Sequence, residues 1–404
     1  MQQMQQMQQV RRPVETRQRA ATPRETRSRS RTQNLDDAPR VDFSTLVGPR
    51  TALETVIARW EQLVDAITLR RMVPPRILPL SPAAEASPDA VLRVAVISHP
   101  PDLGASLVNG LRNQLPRFAI TGVTADRGYF LEPAAIEVNV KPDGWAVTWT
   151  PKHMKDLCHP IDVRLPPRAL GARFVAGWPS TRKVASIDTG DEGAVSQTGF
   201  QLEHSGPEDP VDAHGHGTAV GSLIRLAAPG VEVHSFRVLQ RDEVLVNSGL
   251  LLNALTEAFL FRYHVVSIPQ RAHISIEEQG KQLSLQRIMR QYANMPYPTP
   301  VVVCAAGNYG PSERMEYPAT VPGVLVARGL TWSGKVADYN CPPPLGSEPY
   351  TIDAIGGVEN DPLGICTRPG HPSKELYGSS FATSLVTAAV ALSLSSPRSQ
   401  TVGT

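Results

Sequence analysis

The chain has 404 residues, room for two or three domains at about 150 residues each. With 41% hydrophobic and 19% charged residues it can bury at least one sizeable core, and its four cysteines are too few for a disulfide scaffold. A formal net charge of +2 excludes a wholly acidic or wholly basic binding protein, but residues 1–34 hold eight Arg and two Glu, a net of +6, so the rest sums to −4.

Residues 1–48 read as a disordered tail. A Met-Gln-Gln repeat gives way to Arg, Thr, Ser and Pro, with too few large apolar side chains to offset the entropy of ordering. Such a tail is either simply solvated or an Arg-rich arm for nucleic acid or an acidic partner; no base-reading motif accompanies it. The opening residues carry no apolar stretch that could serve as a signal-peptide core, and no run of ~18 apolar residues predicts a membrane span. The expectation is a cytoplasmic protein with no membrane partner, with leaderless export left open.

Residues 49–89 read as a helix followed by a Pro-rich linker. Leu53, Val56, Ile57, Trp60, Leu63 and Ile67 make one helical stripe between Thr51 and Arg71, and five prolines lie between Met72 and Asp89. A small α+β module is predicted over 90–150. It has a strand at Val91–Ser98, a helix at Ala105–Leu115, and a hairpin of Ile136–Val140 and Trp145–Trp149 about Lys141-Pro142-Asp143-Gly144. Residues 151–180 read as a connector. From 181 to 396, apolar β-rich runs (Val184–Ile187, Val231–Val238, Val265–Ile268, Val301–Ala306, Val324–Ala327) alternate with helical spacing at Thr218–Leu226 and Leu250–Arg262. This predicts an α/β fold, a mostly parallel sheet with helices on both faces. Residues 397–404 read as a tail.

Three motifs in this region can carry chemistry. Ser186-Ile187-Asp188-Thr189-Gly190 puts an Asp at the end of an apolar strand, where functional groups of open α/β sheets collect. Asp212-Ala213-His214-Gly215-His216-Gly217-Thr218 sets a His between glycines ahead of a helix. A metal site is one reading of it, but His214 and His216 lack the i, i+4 spacing of helical ligands; a structural His is another. Tyr377-Gly378-Ser379-Ser380-Phe381-Ala382 puts a Ser in the first turn of an apolar helix, either as an ordinary cap or as a nucleophile near the positive end of the dipole. Between the second and third, Val301–Ala306 runs into Gly307-Asn308, whose amide could donate to a developing oxyanion.

Asp188, His216 and Ser380 occur in the order found in subtilisin, not that of chymotrypsin or the α/β-hydrolases. Over about 180–395 the chain resembles the subtilisin-like serine peptidases, the subtilases. The matching residues are Asp188-Thr189-Gly190, His216-Gly217-Thr218 with Val220 and Gly221, Ala305-Ala306-Gly307-Asn308, and Gly378-Ser379-Ser380 with Ala382. The resemblance implies an endopeptidase acting on protein or peptide substrates. Ser380 would be nucleophile, His216 general base then acid, Asp188 the group that orients it, and Asn308 an oxyanion donor. It implies no required cofactor; structural calcium is common in the family and stays open here, unassigned because no clear Asp-rich loop marks its place.

Some positions depart from the family pattern. Ser379 replaces the usual Thr, Ser384 a usual Pro, and Ala219 a common second His. Val265-Val266-Ser267-Ile268-Pro269-Gln270 replaces the segment that usually reads Ser-Leu-Gly and pairs with substrate backbone, and Pro269 has no N–H to donate. The alternative is therefore a non-catalytic relative that binds peptides or acts as a scaffold. The 90–150 module sits where subtilases carry a pro-domain. It is either an inhibitory chaperone, cleaved between about 150 and 180, or a permanent regulatory domain. Cys304 reads as a small buried hydrophobe, and Cys158, Cys341 and Cys366 as free thiols.

Overall fold

The computed structural model describes residues 42–67, 72–128, 130–133, 146–149, 182–212, 214–238, 246–272, 283–295, 299–343, 350–367 and 374–394, all within one unit, Asp42–Thr404. The first strand, β1 (Asp42–Pro49), leads into α1 (Arg50–Ala58) and α2 (Trp60–Asp65); β2 (Arg76–Ile77) and α3 (Pro82–Glu85) precede β3 (Leu92–His99), and α4 (Gly104–Arg117) returns to β4 (Thr124–Arg127). The four strands form one antiparallel sheet in the order β2-β3-β1-β4, a split β-α-β-β-α-β arrangement. Its residues alternate with the strand period. Leu46, Ala95 and Ile97 pack under Leu53, Val56, Trp60, Leu63, Leu107 and Leu111 of its own helices, while Phe43, Val47, Leu92, Val94 and Val96 face the opposite way, into the main core.

This differs from the sequence expectation at several points. Residues 42–48 are not tail but the central strand of the sheet; only Phe43, Leu46 and Val47 signalled it, because its buried centre is the polar pair Ser44 and Thr45. The Pro-rich run is not a linker: Leu78 and Leu80 are buried in the main core, and Leu78 N–H donates to Val94 O at 2.8 Å. Of the predicted hairpin, Ala146–Trp149 is β6 and pairs antiparallel with the distant Gly364–Thr367; the other half, Ile136–Val140, and the connector at 151–180 lie outside the described residues. The helix at Thr51–Arg71 breaks at Arg59 into α1 and α2.

After β5 (Phe130–Pro133) and β6, the large sheet begins with β7 (Lys183–Asp188), β8 (Ser196–Phe200) and β9 (Ser205–Glu208). Then follow α5 (His216–Ala227), β10 (Glu232–Arg237), β11 (Val246–Asn247), α6 (Ser248–Leu260), β12 (Val265–Ile268), β13 (Gln270–Ala272), α7 (Ser284–Ala293) and β14 (Val301–Ala305). β15 (Leu325–Leu330), β16 (Tyr350–Ile355), β17 (Gly364–Thr367), β18 (Lys374–Leu376) and α8 (Ser379–Ser393) complete the series. Eight strands are ordered β16-β15-β14-β12-β7-β10-β8-β9, all parallel except the edge strand β9.

Both faces of this sheet are covered, which is why its strands read as apolar runs. Val184, Val233, Val265 and Val303 join α5 and α8 through Leu223, Ile224, Phe381, Leu385 and Val386. Ala185, Ile187, Val266, Ile268, Val302 and Cys304 face the other way, toward α6 and α7 and, beyond them, the small sheet. The chain forms β8 and the edge strand β9 on one side of β7, returns to insert β10 between β7 and β8, then crosses to β12 and builds outward through β14, β15 and β16 on the other side. The strand order therefore reverses beside β7, and the crevice at such a point is where open α/β sheets place their ligands.

Candidate active site

Asp188 ends β7 and His216 opens α5, and both side chains are buried. His216 Nδ1 donates to Asp188 Oδ1 at 2.8 Å and lies 3.0 Å from Oδ2. A carboxylate can only accept, so the ring proton sits on Nδ1 and the Nε2 lone pair faces away from the aspartate. That Nε2 is buried and accepts no hydrogen bond from a described residue.

The pair is held by a carboxylate that sequence reasoning had considered only as a metal ligand. Asp212 accepts from Thr189 Oγ1 (2.8 Å), His214 N (2.9 Å), Gly215 N (2.8 Å) and Thr218 N (2.7 Å). It thus satisfies the orphan donors at the start of α5 and ties them to the Asp188 turn. Thr189 Oγ1 in turn accepts from Gly217 N at 2.9 Å. The contact needs glycine: a Cβ on Gly217 would lie 2.0 Å from Gly190 O and 3.0 Å from Asp188 Cβ. Asp212 is thus engaged by one hydroxyl and three backbone N–H groups and His216 by Asp188; among the described residues no group of three His, Cys, Asp or Glu is placed to hold an ion.

Ser380 lies in the first turn of α8, with Gly378 ahead of it at φ 125°. A Cβ on Gly378 would sit 2.7 Å from Asn308 Nδ2, so the loop after β14 and the serine turn touch directly. Asn308 Oδ1 accepts from Ser379 N at 2.8 Å, and Ser379 Oγ accepts from Gly307 N at 3.1 Å. These two bonds fix the Asn308 amide beside the N-terminus of α8, where unpaired N–H groups gather. The Ser380 hydroxyl donates to Pro269 O at 3.0 Å, not to His216 Nε2, and Ser380 is 0% exposed. Ser384 Oγ bonds back to Ser380 O at 3.1 Å, and Ala219 is core.

Pro269 separates β12 from β13. Pro269 itself takes part in no ladder, in keeping with its missing N–H; beyond it β13 pairs antiparallel with β5, and β5 pairs antiparallel with β11, giving a three-stranded sheet in the order β11-β5-β13. Gln270 pairs with Pro133, Arg271 with Glu132 and Ala272 with Leu131. Proline lacks a donor, but the carbonyl is the only group Ser380 takes from it. The N-terminal segment thus fills a strand-wide lane that ends at the Ser380 turn. A further pair that sequence reasoning missed is Asp191 with Arg225, bidentate at 2.6 and 3.0 Å; burial holds the Asp191 carboxyl above its ordinary range, with the guanidinium opposing it.

Residues 183–402 match the model of the subtilase family. That is more than half of the chain, and the protein belongs to the subtilase family of serine peptidases. Among solved structures, the prenylagaramide maturation protease PagA is 22% identical, with 54% of this chain and 76% of that chain covered and a TM-score of 0.41. No curated protein matches.

Proposed function

We propose that the protein is an endopeptidase in which Ser380 attacks the scissile carbonyl. His216 Nε2 takes the serine proton and returns it to the leaving amine, and Asp188 holds the imidazole and stabilises its charged form. Asn308 Nδ2 and the Ser380 N–H stabilise the oxyanion. Water then releases the acyl group by the reverse sequence. The observation that carries this reading is the buried Asp188–His216 bond, which leaves the Nε2 lone pair unengaged on a ring whose centroid lies 6.1 Å from that of Phe381, the residue after Ser380. The serine's present bond to Pro269 O accords with catalytic bonds that form only with substrate in place. A peptide blocked at both ends should be cut internally by the wild type, with Ser380→Ala and His216→Ala each losing on the order of 10⁶ in kcat, the loss known for a member of this family. Equal turnover by all three would refute the assignment.

Control by the N-terminal region belongs to the same reading, supported by the β11-β5-β13 lane. A peptide in this register that continued one residue past the place of Pro133 would come opposite Pro269, whose carbonyl holds the Ser380 hydroxyl. In this chain that next residue is Ala134. Self-processing is therefore expected on the C-terminal side of β5, next to Ala134 or in the stretch from about 150 to 180. Intact mass should reveal that break in the wild type and an unbroken chain in Ser380→Ala.

A second reading, a peptide-binding relative without turnover, draws on the full burial of Ser380 and its bond to Pro269. It predicts peptide binding that is the same in wild type and Ser380→Ala, with no product from either.

A further inference from the structure

Gln270 is the first residue of β13 and next to Pro269. It is 0% exposed, yet neither Oε1 nor Nε2 of its amide has a hydrogen-bond partner among the described residues. A buried unpaired polar atom carries a penalty of roughly 1–3 kcal/mol, and a native side chain with two of them calls for an explanation. On its neighbour Arg271, by contrast, the guanidinium bonds Glu316 at 2.9 Å and covers the Tyr309 ring, while Nε makes no hydrogen bond among the described residues. Arg271 lies on the opposite face of the strand from Gln270.

We infer that Gln270 selects the substrate: the lane takes a peptide that presents a side-chain amide, Asn or Gln, at the place now held by Pro133. This rests on reading the lane as the substrate lane. Residues directly opposite in an antiparallel pair share a face, with Cβ atoms about 4.5–5.5 Å apart, and Gln270 lies directly opposite Pro133. An amide brings both a donor and an acceptor and satisfies Oε1 and Nε2 together. A carboxylate answers only Nε2, and an ammonium only Oε1. Proline has no side-chain polar atom, so the chain's own strand leaves the requirement unmet and gives way to a better match.

The test uses the full chain and the peptide Phe-Leu-Glu-X-Ala-Ala-Ile-Glu, which is the chain's own sequence 130–137 with position 133 varied. Displacing β5 lowers every apparent affinity by the same factor, so ratios between peptides report the lane alone. Wild type is expected to favour X = Asn or Gln over X = Leu at least about tenfold in kcat/KM, and in binding to Ser380→Ala. Gln270→Leu abolishes that preference, and Gln270→Glu moves it toward Lys. A parallel series varied at the place of Glu132, off the Gln270 face, stays unchanged. Gln270→Leu replaces an unpaired amide by an apolar side chain of similar size, so its melting temperature does not fall. A flat profile at X, or the same profile in wild type and Gln270→Leu, overturns the inference. Amide-selective binding without turnover would refute the peptidase reading and keep this one; turnover with a flat profile would do the reverse. Failure to bind any of these peptides would overturn both.

Discussion

Asn308 is held by its own acceptor. Because Oδ1 takes the Ser379 N–H at 2.8 Å, the amide cannot rotate without giving up that bond, and Nδ2 is directed to the Gly378 side, where a Cβ would lie 2.7 Å away. A donor fixed before the reaction needs no reorganisation as charge develops. Loss of one such donor lowers kcat by about 10²–10³, a figure measured on a member of this family. Asn308→Ala is therefore expected to lower kcat by that factor while KM changes little; steady-state kinetics check it, and a change confined to KM would assign Asn308 to substrate binding instead. At this scale the sequence pointed to Asp188, His216, Ser380 and Asn308 as candidate site residues, each marked by its motif. It did not carry Asp212 or Gln270. The role of Asp212 depends on four donors from separate turns converging on one carboxylate, and that of Gln270 on which strand lies opposite.

Among the elements, the small sheet and the two helices beneath it form one packed unit. Asp126, at the end of the module, accepts from Leu283 N at 2.9 Å and Ser284 N at 2.6 Å, capping α7 from outside, and from Arg112 at 2.8 Å. Burial pushes its carboxyl above the ordinary range against those bonds. Ser81 donates N–H and hydroxyl to the buried Glu257 of α6 at 2.6 and 2.7 Å. Asp126→Ala removes the cap and leaves two amide donors unanswered, at about 1–2 kcal/mol. Hydrogen exchange should quicken at the first turn of α7 and across β4 while β7 and β14 keep their protection; uniform quickening would contradict the local role. The strands of the large sheet were legible because burial on both faces writes them as apolar runs. β1 was hidden by its buried Ser44 and Thr45 and its closeness to the Arg-rich segment. α7 carries Leu285, Ile288 and Tyr292 on a helical stripe, a signal available in the sequence that the strand-led reading passed over.

For the whole molecule, the pairing of β5 with β11 and β13 joins segments more than a hundred residues apart, and no local pattern encodes it. The same long-range packing sets the response to acid. Burial, with Arg182 nearby, lowers the His264 imidazole to about 4, and its Nδ1 accepts from Lys183 N at 3.0 Å, which requires the neutral ring. The unfolded chain takes up that proton near the ordinary value of about 6.5. Between about 6.5 and 4 the unfolded state thus binds more protons, and stability falls as pH falls, by up to about 3 kcal/mol, levelling off below 4. Asp126, Asp191 and Glu257, all raised by burial, act in the opposite sense. The difference between wild type and His264→Gln isolates the histidine: denaturant unfolding from pH 7 to 4 should lose stability more steeply in the wild type, and parallel curves would contradict the assignment.

The central claim is an activated serine at the Ser380 turn, with access to it governed by β5. Labelling with a fluorophosphonate probe tests it most directly, on wild type, Ser380→Ala, His216→Ala and Leu131→Pro, the last removing a ladder donor from β5. Wild type is expected to label at Ser380, Ser380→Ala not at all, His216→Ala with a severe loss, and Leu131→Pro faster. A folded wild type and Leu131→Pro that both stay unlabelled, or labelling that survives Ser380→Ala, would contradict that claim.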